Sequence, residues 1–195
     1  MSTILPGFEA GLAALLLIWV LRLSRRHRAL ARRHAVELER LTDRDGLTGL
    51  GNERALVRDL ALGLHRSRRT REPITLLWLD IDAFAEVTRS HGRAEGDRTL
   101  RALGAVMRSS LRFGTDACYR IAGDQFAVVV AAGREGARTI GLRLDWNLRE
   151  RTPRQSGLRA GVAVWDGRSS PEGLIEQARR APRARPSDAS VTQTV

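Results

Sequence analysis

Ile74-Thr75-Leu76-Leu77-Trp78-Leu79-Asp80-Ile81-Asp82 is an almost unbroken apolar run that ends in two aspartates. Such a run fits a strand buried on both faces that delivers carboxylates at its C-terminal end. Downstream lies a helical pair with Gly92 to Gly96 between its members, the second running from about residue 96 to residue 111. Ala117 to Ile121 and Phe126 to Val130 read as two short strands around Ala122-Gly123-Asp124-Gln125, a hairpin by length and composition. Residues 136–150 read as a helix and 158–165 as a strand, and Pro171 begins a last short helix that stops before Pro182. Upstream, the turn-rich stretch from Thr42 to Asn52 precedes a helix that Asn52 caps and that runs to about Thr70. The order predicts an α+β fold: a ferredoxin-like or palm βαββαβ antiparallel sheet covered by helices, on one face.

The 195 residues suffice for one domain plus an appendage, and too few remain for a second full domain. Hydrophobic residues at 43% and charged residues at 28% fit a chain that buries a core. The net charge of +11 comes from 33 basic residues, all Arg, against 22 acids. An excess of this kind suggests an anionic partner, and its placement decides which one. Residues 22–40 carry +5, residues 41–178 only +4, and residues 179–195 +3. The body is nearly balanced, its Arg residues are scattered and no aromatics interleave with the N-terminal cluster, so no nucleic-acid partner is expected.

From Ile4 to Leu21 the chain is apolar except for Glu9, and 18 helical residues at 1.5 Å rise span about 27 Å, close to a hydrocarbon thickness. Arg22, Arg25, Arg26, Arg28, Arg32 and Arg33 follow it and no basic residue precedes it. The expectation is a transmembrane helix over 1–23, a juxtamembrane basic helix over 24–41, a folded domain over 42–181 and a disordered tail over 182–195. By the positive-inside rule this makes a single-pass protein of the inner (plasma) membrane with its C-terminal domain in the cytoplasm. The one cysteine, Cys118, excludes an intramolecular disulfide and a C-x-x-C zinc site, and it reads as a small buried residue on a strand.

Asp80 and Asp82 are read as facing opposite sides of their strand, so that one of them enters a site. Asp124 sits at the tip of a hairpin that this layout sets beside the end of the first strand. Two converging carboxylates with a backbone carbonyl would make a hard oxygen site suited to magnesium, which can neutralise and polarise phosphates. Gly123 allows close backbone approach to phosphate oxygens. Alone, these residues are equally compatible with solvated turn acids.

The motifs together are more specific. Asp45-Gly46-Leu47-Thr48-Gly49-Leu50-Gly51-Asn52 resembles D-x-L-T-G-L-x-N, and Asp80-Ile81-Asp82-Ala83-Phe84 resembles D-I-D-x-F. Gly92 to Asp97 resembles G-H-x-x-G-D, and Arg120 to Phe126 resembles R-x-G-G-D-E-F. In this order and spacing they resemble the GGDEF domain of diguanylate cyclases over residues 41–181. The resemblance implies a homodimer in which each domain holds one GTP and two GTP condense to cyclic di-GMP with magnesium (Mg2+) as cofactor. It implies Asp80, Asp124 and the Ile81 carbonyl as metal ligands, and Asp124 as the catalytic residue that assists the attacking hydroxyl. Gly123 and Ala122 would lie along the nucleotide, with Asp97, Thr88 and Phe84 at the substrate.

The chain also departs from that pattern. Ala122 replaces the first signature glycine and Gln125 the signature glutamate. Thr88 stands where the family has a guanine-binding Asn, and Ala85 where it has a phosphate-facing Lys. The C-terminal helix runs into Pro182, so Arg183 and Arg185 supply charge in no fixed helical register. The inhibitory product site R-x-x-D keeps only Asp116, with Phe113 in the Arg position and Arg112 one residue out of register. Each lost substrate contact costs about 1–3 kcal/mol. The expectation is a membrane-tethered GGDEF protein of cyclic di-GMP signalling with weak or no cyclase activity, serving as a GTP-binding or protein-interaction module. The alternative is an active cyclase.

Overall fold

The computed structural model describes residue 19 and residues 42–112, 114–152 and 156–186. Clustering of the backbone separates Met1–Thr42 from Asp43–Val195, and every element below belongs to the second unit. In chain order these are α1 (Glu53–Thr70), β1 (Thr75–Ile81), α2 (Phe84–His91), α3 (Arg93–Ser110), β2 (Ala117–Ala122), β3 (Gln125–Val130), α4 (Arg134–Arg151), β4 (Leu158–Val164) and α5 (Pro171–Arg180). Boundaries sit within a few residues of those expected. The clearest caps are Asn52, whose side chain accepts from the Ala55 amide at 3.1 Å, and Ser170, which accepts from the Gly173 amide at 3.1 Å with Pro171 behind it.

The sheet runs β2-β3-β1-β4, and every neighbouring pair is antiparallel. β1 lies in the interior of the sheet, opposite β3 through Asp80↔Gln125 and opposite β4 through Asp80↔Arg159. Alternate β1 residues supply two cores. Leu77, Leu79 and Ile81 pack with Phe126, Val128 and residues of α3 and α4 such as Leu103, Met107 and Leu144. Leu76 and Trp78 pack on the other face with Leu56, Leu60 and Leu64 of α1 and Leu174 and Ala178 of α5. Helices therefore cover both faces, which corrects the expectation of one covered face. The cause is in β1 itself: a strand apolar at both parities needs an apolar layer on each side.

Local contacts tie the layers together. Asp145 of α4 accepts from the Leu158 amide at 2.6 Å and from Arg149 at 3.0 Å, fixing the helix to the start of β4. Gly161 of β4 has no room for a side chain: a Cβ there would stand 2.5 Å from the Ala178 carbonyl oxygen, so α5 lies directly on the strand. Ala184 forms an antiparallel bridge with Ala160, with amides bonded in both directions at 2.9 and 3.4 Å, and Pro186 is buried. Residues 182–186 are thus not the start of a disordered tail. They lie along the open edge of β4, where alternating residues point to the same face as in a strand. Residues 187–195 lie outside the described residues.

Among the described residues no helix is long and apolar enough to cross a membrane, and this overturns the expectation of a single-pass inner-membrane protein with a cytoplasmic domain. Two of the three 18-residue helices, α1 and α3, are amphipathic, and each spreads Arg and acidic residues over its exposed face. The expected transmembrane and basic helices, residues 1–41, lie outside the described residues apart from Trp19.

Candidate functional site

The site is built at the C-terminal end of β1 and the β2–β3 turn. Asp80 is paired with Gln125, so Asp124, one residue earlier in the turn, stands at the same end of the sheet. Gly123 occupies the turn with φ +55 and open space around it, a conformation that favours glycine, and Ala122 is exposed. The turn is held from behind by Arg120. Its Nη2 and Nε donate to the Gly123 carbonyl at 2.8 and 3.2 Å, and its Nη1 pairs with Asp45 at 3.0 Å. Asp45 also accepts from the Thr48 amide at 2.8 Å and from the Thr48 hydroxyl. Both side chains of the pair are about one-seventh exposed, at 14% for Arg120 and 13% for Asp45.

This clamp explains why the Asp45–Asn52 stretch and the Arg120–Phe126 stretch occur together. The first docks on β2: Gly51 bridges Tyr119, its amide donates to the Cys118 carbonyl at 3.3 Å, and its carbonyl accepts from the Arg120 amide at 2.8 Å. Gly51 is required by closeness, since a Cβ would sit 2.5 Å from the Tyr119 ring. Burial pushes the Cys118 thiol up to about 11, against weaker opposing effects of Arg108 and Arg44, and it pushes the Tyr119 hydroxyl up as well.

The residues expected at the substrate gather between α2 and α3. A Cβ on Gly96 would stand 2.9 Å from the Thr88 hydroxyl and 3.2 Å from the Phe84 ring, so Thr88, Phe84 and the Gly96-Asp97 step are neighbours. The Thr88 hydroxyl donates to the Phe84 carbonyl at 2.9 Å within its own helix. Ala83, which opens α2 directly after the two aspartates, has φ +55, a left-handed conformation uncommon for a residue with a Cβ. Asp116, the remnant of the expected inhibitory site, has a fully buried side chain and accepts from Arg112 at 3.0 and 3.1 Å. Phe113 lies outside the described residues.

Residues two apart along a strand share a face, and Asp82, directly after β1, keeps the strand's course by donating its amide to the Gly157 carbonyl at 2.8 Å. The reading of Asp80 and Asp82 on opposite sides is corrected accordingly. Both carboxylates are engaged by arginines of the C-terminal segment: Asp80 pairs with Arg183, and Asp82 pairs with Arg185 at 2.6 Å and with Arg159 of β4 at 3.2 Å. These arginines, led by Arg185, hold the Asp82 carboxyl below the usual carboxylate range. A signal for this pairing was present in the sequence. Arg183 and Arg185 are spaced by two, as are Asp80 and Asp82, which is the spacing of side chains on one face of a ladder. The reading of residues 182–195 as a disordered tail hid it.

Magnesium requires free carboxylate or carbonyl oxygen. The Asp80 carboxylate is taken up by a guanidinium, and among the described residues no group of three acidic, His or Cys side chains is arranged to hold a metal ion. In this arrangement Arg183 stands on Asp80, so that carboxylate is not presented to an ion alongside the Ile81 carbonyl and Asp124.

The family description "Diguanylate cyclase, GGDEF domain" matches residues 42–185. Diguanylate cyclase DgcS of Shewanella oneidensis is 38% identical over 86 residues, 44% of this chain and 29% of its own length. Diguanylate cyclase DosC of Escherichia coli is 28% identical over 148 residues, 70% of this chain and 31% of its own. The chain thus spans about three-tenths of the length of these relatives. A sensory box/GGDEF family protein of Caulobacter crescentus has a similar structure with TM-score 0.64 and 30% identity, over 72% of this chain and 95% of that one. Diguanylate cyclase SiaD of Pseudomonas aeruginosa, solved with its activator SiaC, has TM-score 0.65 and 26% identity over 96% of this chain and 73% of that one. With the four-stranded antiparallel sheet, the clamped β2–β3 turn and this match over most of its length, the chain belongs to the GGDEF domain family of diguanylate cyclases.

Proposed function

We propose that this GGDEF domain has weak or no diguanylate cyclase activity and acts in cyclic di-GMP signalling as a GTP-binding or protein-interaction module. The observation that carries this reading is the Asp80–Arg183 ion pair, because a carboxylate engaged by a guanidinium is not available to organise a triphosphate through a divalent ion. Three substitutions support it. Thr88 replaces a two-point amide with one hydroxyl, and that hydroxyl already donates within α2. Ala85 supplies no charge to a phosphate. Gln125 removes the carboxylate next to Asp124.

Residues that remain suited to a nucleotide are Asp97, which can accept from a purine edge, and Gly123, whose open backbone lets an anion approach. Asp124 remains at the turn as the candidate catalytic carboxylate. The test is incubation of the full chain with GTP and magnesium, followed by chromatographic detection of cyclic di-GMP. The expected result is product at or near background. Abundant product that disappears in Asp124→Ala would overturn the proposal and establish an active cyclase. Calorimetric titration with GTP then separates nucleotide binding from a pure interaction module.

A further inference from the structure

The segment Pro182-Arg183-Ala184-Arg185-Pro186 has the features of a built part of the site. Its middle residue is hydrogen bonded both ways to Ala160, and its far end is the buried Pro186, which lies against Gly141 of α4. A proline at each end restricts the backbone to extended conformations. Arg183 is further fixed by a hydrogen bond from Nη2 to the Arg179 carbonyl at 2.9 Å, at the C-terminal end of α5 where a cation is favoured.

The strap lies outside β4, which itself lies beside β1. Arg183 therefore reaches Asp80 over β4, and the residue of β4 paired with Trp78 is Gly161, which puts no side chain in the way. Arg183 and Asp80 are only 24% and 19% exposed, and the Arg183 Nε is buried with no partner. With Arg185 and Arg159 on Asp82, three guanidinium groups neutralise two carboxylates. An arginine stays charged across the whole physiological range, so this arrangement does not lapse with pH.

We infer that Arg183 is the specificity-determining cation of this site: it stands at Asp80 in place of a divalent metal, with Arg185 holding Asp82, so that the domain excludes the ion rather than recruiting it. A metal entering here has to displace a guanidinium anchored at its backbone and its side chain, and shed its own water as well. The inference deepens the proposed function and rests on it, but its test reads metal binding with no nucleotide present.

The experiment is titration of Mn2+ into the full-length protein, followed by the loss of the free-ion electron paramagnetic resonance signal, for wild type, Arg183→Ala and Arg183→Ala/Asp80→Asn. The expected result is at least tenfold tighter binding to Arg183→Ala than to wild type, with the gain abolished in the double variant. Equal affinities for wild type and Arg183→Ala would overturn the inference. So would a gain that survives Asp80→Asn. If Arg183→Ala does not fold, Arg183→Gln, which is shorter but keeps a polar, uncharged hydrogen-bonding end, is read by the same criteria. Cyclic di-GMP made by the wild-type chain would overturn the proposed function, whereas this titration decides the role of Arg183 by itself.

Discussion

Replacing Arg120 by Ala is predicted to destabilise the domain by about 3 kcal/mol, the low end of the cost of breaking a buried ion pair and well above that of an exposed one. The magnitude follows from the surroundings. Arg120 and Asp45 are 14% and 13% exposed, so the Asp45 carboxylate would keep only the Thr48 amide and hydroxyl as donors in a largely dry position. The Gly123 carbonyl would lose both of its guanidinium donors at once. For a chain of this size, 1 kcal/mol corresponds to about 2–4 °C in midpoint, giving a fall of about 6–12 °C. Thermal unfolding followed by circular dichroism measures it, with urea unfolding as the second route. A double-mutant cycle with Asp45→Asn should give a coupling of about 1–3 kcal/mol. A loss below about 1 kcal/mol for Arg120→Ala, or full additivity in the cycle, would refute the clamp. Arg120→Lys should recover little, since an ammonium cannot span Asp45 and the Gly123 carbonyl together.

Three further outcomes are expected. Gly161→Ala, whose Cβ would meet the Ala178 backbone oxygen at 2.5 Å, should cost about 1–3 kcal/mol in urea unfolding; a neutral change would mean that α5 can lift off β4. Ala83→Gly should stabilise by about 0.5–1 kcal/mol in urea unfolding, because relief of the left-handed backbone at φ +55 outweighs the opposing freedom that glycine gives the unfolded chain. The Cys118 thiol, raised from 9.0 to about 11 by burial, favours the fold while it is neutral. Its contribution is fully present below pH 9.0 and is lost as pH rises through about 11, so stability should fall across that window and Cys118→Ala should flatten the fall. A pH profile of the same slope in both proteins would dismiss the thiol as its source.

The fold could be read from the sequence because its elements are punctuated: Asn52 and Ser170 cap helices, and the Gly123 turn divides two short apolar strands. The error about the helical layers came from not following the parity of β1. Leu77 and Leu79 on one side and Leu76 and Trp78 on the other already demand two layers. At the site, the residues near β1 and the turn could be named because local motifs carry them. Arg159, Arg183 and Arg185 are passed over, because their role arises from partners 77 to 103 positions away and Pro182 reads locally as an ending, so the matching two-residue spacing of Arg183 and Arg185 carries no weight alone. The Arg120–Asp45 clamp is likewise a contact across 75 positions between two motifs that each look complete alone.

The two outer strands of the sheet share a property. At β2 the bridge from Gly51 occupies Tyr119, and at β4 the bridge from Ala184 occupies Ala160. Loop residues therefore sit on both margins, where unpaired amides and carbonyls would otherwise template another chain. Another chain that extended the sheet would meet these loop residues first, at Tyr119 on one margin and at Ala160 on the other.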